Sequence, residues 1–149
     1  MNMRDAKRTE KNAIVKIAKE LHEWFTPIAV NNISTDFELN NNLIALEKNK
    51  VQGFLCYNSY NGAMKILWMG ISKRFQRKGM GKRLIQEIEK RAKKHKLQSI
   101  EVETLPDEDT YLPYKKTREF YYRQGFTRVE YRKARVEGWD DQILLEKKI

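Results

Sequence analysis

At 149 residues, 40% hydrophobic and 11% aromatic, the chain is long enough for one compact domain with a real core and short of two comfortable ones. No stretch approaches the ~20 apolar residues of a membrane span and the N-terminus lacks the apolar run of a secretory signal, so a soluble cytoplasmic protein is expected. Of the formal charge of +10, nearly all falls between Lys73 and Lys96, where eleven Lys or Arg face only Glu87 and Glu89, so the basicity belongs to one segment.

Met1 to Lys11 is polar, without periodicity, and is expected to be loosely held. From Ala13 the apolar positions Ile14, Ile17, Ala18, Leu21, Trp24 and Phe25 recur at spacings of three and four, which predicts a helix ending near Thr26-Pro27. A short second helix is placed over Ile28 to Phe37. The turn Asn40 to Asn42 precedes the apolar Leu43 to Leu46, and Val51 to Tyr57 reads as the second strand of a hairpin. Cys56, the only thiol, lies in that apolar strand as a core residue; with two distant histidines it offers neither a disulfide nor a zinc site, and no metal is expected. Met64 to Ile71, almost continuously apolar, fits a central strand covered on both faces.

Met80, Leu84, Ile85, Ile88 and Ala92 then form a helical stripe reaching about Lys96. Ser99 to Leu105 reads as a strand and Tyr111 to Gln124 as a helix closed by Gly125. Thr127 to Tyr131 and Ile143 to Lys148 are the last two strands. Strand, helix, strand in succession implies a crossover with parallel neighbours, and the remaining hairpins are antiparallel. The expected fold is therefore α/β, with a mixed, twisted sheet and helices on both faces.

Gly79 and Gly81 stand between the buried strand and the periodic helix, where backbone N–H groups and the positive helix end converge on an anion. A nucleotide-hydrolase loop would need glycine at Gln76 and a hydroxyl at Arg83; a dinucleotide fingerprint would need glycine at Leu84. Neither is present.

What remains, Gln76-x-x-Gly79-x-Gly81, resembles the coenzyme-binding signature of the GCN5-related N-acetyltransferase (GNAT) family. A second match lies at Phe120-Tyr121-Tyr122-Arg123-Gln124-Gly125-Phe126, which is similar to that family's helix ending in a tyrosine four residues before Gly-Phe. The close resemblance spans roughly Met64 to Phe126. It implies a sheet with splayed parallel central strands, one acetyltransferase domain over 1–149, and acetyl-CoA as cosubstrate. It implies a coenzyme-binding loop opened by Gln76 in which the backbone of Arg77, Lys78, Gly79, Met80, Gly81 and Lys82 grips the coenzyme pyrophosphate, with nearby cations suiting the 3′-phosphate. Met69, Gly70 and Ile71 match the position where a bulge splays the central strands and backbone groups hold the thioester and pantetheine arm. Tyr121 would protonate the departing thiolate, a task suited to a phenol of pKa ~10. An asparagine common seven residues before that tyrosine is here Tyr114, which puts its coenzyme contact in doubt.

Glu101 and Glu103 share one strand face and are the candidate bases, Glu101 matching a base position in some relatives. With Asp107, Glu108 and Asp109 they form an acidic stretch expected to draw a cationic amine, small or peptide-borne. No covalent nucleophile is required, so direct attack in a ternary complex is expected. Two other readings stand beside this one: a nucleic-acid-binding module using the helix 82–96, and a catalytically silent coenzyme sensor. The coenzyme's own phosphates account better for the basic segment, so nucleic acid is the weaker partner. The family's habit leaves a homodimer open.

Overall fold

The computed structural model describes residues 1–149. Seven strands form a single sheet in the order β1-β2-β3-β4-β5-β7-β6, and only the β4–β5 neighbours run parallel. The strands are β1 (Asn2–Asp5), β2 (Asn41–Glu47), β3 (Lys50–Tyr60), β4 (Ala63–Ile71), β5 (Ser99–Thr104), β6 (Thr127–Arg132) and β7 (Gln142–Lys148). Four α-helices accompany them: α1 (Lys11–Glu20), α2 (Pro27–Leu39), α3 (Met80–Lys94) and α4 (Leu112–Arg123). None is long and apolar enough to cross a membrane.

The sheet carries a core on each face. Leu84, Ile85, Ile88 and Ala92 of α3 and Tyr121 of α4 pack over Leu55, Ile66, Val102 and Ile143 on one side. Ile14, Ile17 and Leu21 with Val30, Ile33 and Phe37 of α2 pack over Ile44 and Phe54 on the other. Strand alternation supplies both surfaces at once, which is why the central strands read as unbroken apolar runs.

Two expectations change. Residues 2–5 are not loose: they pair antiparallel with β2, Asn2 opposite Leu46 through Asp5 opposite Leu43, and Arg4 donates to both carboxylate oxygens of Glu10 at 2.7 and 2.8 Å. The first helix stops at Glu20 rather than near Thr26. Leu21 leaves helical geometry at ψ 46°, and Thr26 Oγ1 accepts from Ala29 N at 3.1 Å to cap α2, with Pro27 in its first turn. Residues 21–26 thereby become a connector between two helices.

The feature that shapes the molecule lies between β4 and β5. Their pairing runs from Ala63–Ser99 to Ile66–Val102 and stops, although β4 continues to Ile71 and β5 to Thr104. Cys56 faces Trp68 and the next residue, Tyr57, faces Ile66, so Leu67 is an extra residue that bends β4. From Leu67 onward β4 presents a free backbone edge inside the sheet, and β5 instead pairs along its whole length with β7. The splay expected at Met69-Gly70-Ile71 is therefore present, but its bulge sits at Leu67. Gly70 answers a different need: a Cβ there would lie 2.7 Å from Phe54 Cε1 and 3.1 Å from Leu21 Cδ1.

Candidate active site

The loop after β4 is built from backbone turns. Arg77 takes φ +60° and Gly79 φ +83°, a pair of left-handed residues that turns successive N–H groups to one side before α3 begins at Met80. From Arg77 to Lys82 no backbone N–H has a hydrogen-bond partner; the next one, Arg83 N, donates to Gly79 O at 3.1 Å. Six consecutive free donors at the positive end of a helix form a cradle for a phosphate. The Gln76 side chain does not point into that cradle. Its Nε2 donates to Ile71 O at 2.9 Å and ties the loop to the last residue of β4. Gly81 lets α3 approach α4, since a Cβ there would lie 3.1 Å from Phe120 and 3.3 Å from Met69 Cε.

A cleft of about 1060 Å³ begins at this loop. Gln76, Arg77, Gly79, Gly81 and Lys82 border it, as do Met69, Gly70 and Ile71 of the free β4 edge; Lys78 and Met80 are not among its walls. Met80 is buried beneath the loop at 2% exposure, so only its backbone serves the cradle. Arg77, Lys82, Lys116 and Arg123 make the rim cationic. Because the β4–β5 gap is open, the cleft continues through the sheet to Leu21, Trp24 and Phe25 on the opposite face.

Tyr121 lines this passage. It is 5% exposed, with Phe120 and Phe126 edge-on to its ring at 5.2 and 5.3 Å, and its hydroxyl has one neighbour, Met69 Sδ, at 3.8 Å. Burial raises its pKa well above the usual phenol value, so the group carries its proton throughout the neutral range.

The two glutamates are not brought to the cleft. Val102 lines it, and alternation turns Glu101 and Glu103 to the opposite sheet face, the one onto which the Leu21, Trp24 and Phe25 arm opens, but neither borders the cleft: Glu101 lies 3.8 Å from Lys65 Nζ and Glu103 accepts from Arg132. Asp107 pairs with Arg118 and Arg128 and Glu108 with Arg128, while the Asp109 carboxylate accepts from Tyr111 N at 2.8 Å. Cys56 is buried, and desolvation pushes its thiol up to about 12, which rules out a thiolate nucleophile at neutral pH.

Sequence reasoning missed the connector 21–26. Tyr114, at the position of the missing asparagine, donates its hydroxyl to Trp24 O at 2.6 Å, and Tyr111 donates to Glu23 O at 2.8 Å. Trp24 Nε1 returns a bond to Pro113 O and Thr117 Oγ1, each at 3.1 Å. The connector is thus latched to the first turns of α4 across the cleft. The sequence shows Trp24 and Phe25 only as the end of a helical apolar face and Tyr114 only as a departure from the family's asparagine.

The profile of the acetyltransferase (GNAT) family matches residues 11–126, which span both helices of the connector, the loop and Tyr121. The chain belongs to the GNAT family. It is accordingly an acyltransferase, with an acyl-CoA cosubstrate. The fold agrees with GNAT structures along the whole chain. A GNAT-family protein from Desulfovibrio desulfuricans superposes with a TM-score of 0.86 at 19% identity, over 99% of this chain and 98% of that one. Ribosomal-protein-alanine N-acetyltransferase from Brucella melitensis gives 0.74 at 15% identity, covering 100% of both chains. An aminoglycoside 6′-N-acetyltransferase complexed with coenzyme A gives 0.75 at 14% identity, over 99% and 97%. No curated protein matches the sequence significantly.

Proposed function

We propose that this GNAT enzyme transfers an acetyl group from acetyl-CoA to a primary amine by direct attack, its 149 residues working as one catalytic domain in the cytoplasm. The observation that carries the reading is that three parts line one cleft: free N–H donors of the loop, a free strand edge beside them, and a neutral buried phenol whose hydroxyl lies against Met69 of that edge. The cradle from Gln76 to Lys82 receives the pyrophosphate, Arg77 and Lys82 lie closest to its charge, and Lys116 and Arg123 suit the 3′-phosphate. The backbone edge at Met69, Gly70 and Ile71 pairs with the amides of the pantetheine arm, as a strand would.

The neutral amine nitrogen attacks the thioester carbonyl carbon, the C–S bond breaks, and the departing sulfur takes the proton of Tyr121 Oη. The proton lost by the amine goes to water, from which the Tyr121 phenolate regains one; Glu101 and Glu103 do not border the cleft and are paired with Lys65 and Arg132. Isothermal titration with acetyl-CoA tests the first step: binding in competition with CoA is expected, and no binding at millimolar concentration refutes the proposal. Release of CoA across a panel of amines tests the second.

A further inference from the structure

Beyond the β4–β5 gap the cleft is walled by Leu21, Trp24, Phe25, Trp68 and Tyr114. Every polar tip among them is engaged by protein. Trp24 Nε1 is held by Pro113 O and Thr117 Oγ1, Trp68 Nε1 by Asp36 Oδ2 at 2.7 Å, and the Tyr114 hydroxyl by Trp24 O. Phe25 stands edge-on to Trp68 with ring centroids 6.0 Å apart. What this arm turns toward a ligand is ring faces and methyl groups.

Its walls also carry little negative charge for a polycation. Most nearby carboxylates are in ion pairs, Glu23 with Lys73 at 2.6 Å and Glu101, Glu103, Asp107 and Glu108 with basic partners, while Asp36 accepts from the Trp68 indole and Asp109 and Asp140, outside the cleft walls, act on Tyr114 without a basic partner. Glu119, the one carboxylate bordering the cleft, shares the exposed stripe of α4 with Lys116 and Arg123 at spacings of three and four. An acceptor with several ammonium groups would set them against aromatic walls on which Glu119 is the one carboxylate.

Resting on the acetyltransferase reading above, we propose that this arm seats the acceptor, and that the acceptor is a primary monoamine carrying an aromatic or similarly bulky apolar group. The apolar group enters between Trp24, Phe25 and Trp68, and the amine projects through the gap toward Tyr121. Burying a phenyl ring in such an arm favours 2-phenylethylamine over ethylamine by roughly 10- to 100-fold in kcat/KM.

The test measures CoA release from acetyl-CoA with 2-phenylethylamine, ethylamine and spermidine, first on the unaltered protein and then on Phe25→Ala. The expected ranking is phenylethylamine first and spermidine last. Phe25→Ala is expected to bring the phenylethylamine-to-ethylamine ratio toward one while the KM for acetyl-CoA stays within about twofold. Spermidine equal to or better than phenylethylamine overturns the inference and leaves acetyl transfer standing. A preference for hexanoyl-CoA over acetyl-CoA that Phe25→Ala abolishes also overturns it, because the arm would then hold the acyl chain. Absence of both CoA binding and CoA release with any amine overturns the inference together with the acetyltransferase reading.

Discussion

Replacing Tyr121 by Phe separates what the ring does from what the hydroxyl does. The ring is packed between Phe120 and Phe126, and Phe keeps that packing. The hydroxyl is buried with a thioether 3.8 Å away as its one partner, and sulfur is a weak acceptor. Burying a hydroxyl without a good partner costs about 1–3 kcal/mol, so Tyr121→Phe should leave stability unchanged or raise it by about 1 kcal/mol. For a chain of this size that is an upward shift of about 2–4 °C in Tm by calorimetry. Turnover should move the other way. A general acid contributes about 10²–10⁴ in rate, and each tenfold corresponds to about 1.4 kcal/mol of barrier, so kcat should fall at least about 100-fold with the acetyl-CoA Kd unchanged. The wild-type pH–rate profile carries the same signature. Because burial raises the folded pKa, the phenol keeps its proton above the ~10 at which a free phenol ionises, and no alkaline loss of kcat from this group should begin there. Unchanged kcat, or a loss of rate accompanied by a comparable loss of Tm, would refute the assignment of the hydroxyl to catalysis.

Gly70→Ala should destabilise the fold by about 1–3 kcal/mol, seen as a lower calorimetric midpoint, since its Cβ meets Phe54 and Leu21 where both are buried. Tyr114→Phe should release the connector. Losing the 2.6 Å bond to Trp24 O, about 1 kcal/mol, should speed amide exchange over residues 21–26 several-fold with acetyl-CoA affinity unaltered. Glu101→Gln and Glu103→Gln should leave the pH dependence of kcat where it was, and a displaced acidic limb in either variant would restore a carboxylate base. Arg4 holds Glu10 at about 2, below its ordinary 4.5, so this pair steadies the N-terminal strand fully above about pH 4.5 and loses its contribution as pH falls toward 2. Glu10→Gln should remove that step from an acid titration followed by exchange at residues 2–5.

The periodic helix α3 and the order of the central strands were legible because burial on one or both faces imposes its own spacing on the sequence. Local pattern reached less far where partners lie distant in sequence. Residues 2–5 carry no strand alternation; their conformation comes from the open edge of β2. Trp24 and Phe25 continue the helical spacing of Ile14, Ile17 and Leu21, yet the chain leaves the helix at Leu21 because their rings are taken up by α4 and Trp68. Alternation correctly put Glu101 and Glu103 on a common face, but the pairing that occupies them, with Lys65 and Arg132, comes from other strands of the sheet. The acidic stretch looked available as a ligand site because Arg118, Arg128 and Arg132, its partners, are 11 to 29 positions away.

An unpaired strand edge ordinarily invites another chain to complete it, and proteins blunt such edges at the margins of their sheets. Here the free edge of β4 is placed at the centre, where α4 and the latched connector stand over it and a foreign strand has no straight approach. A slender ligand with peptide-like amides can still thread in. The hydrogen bonds from Tyr114 and Tyr111 to the connector thus hold cover beside the one strand edge that the sheet leaves unpaired in its interior.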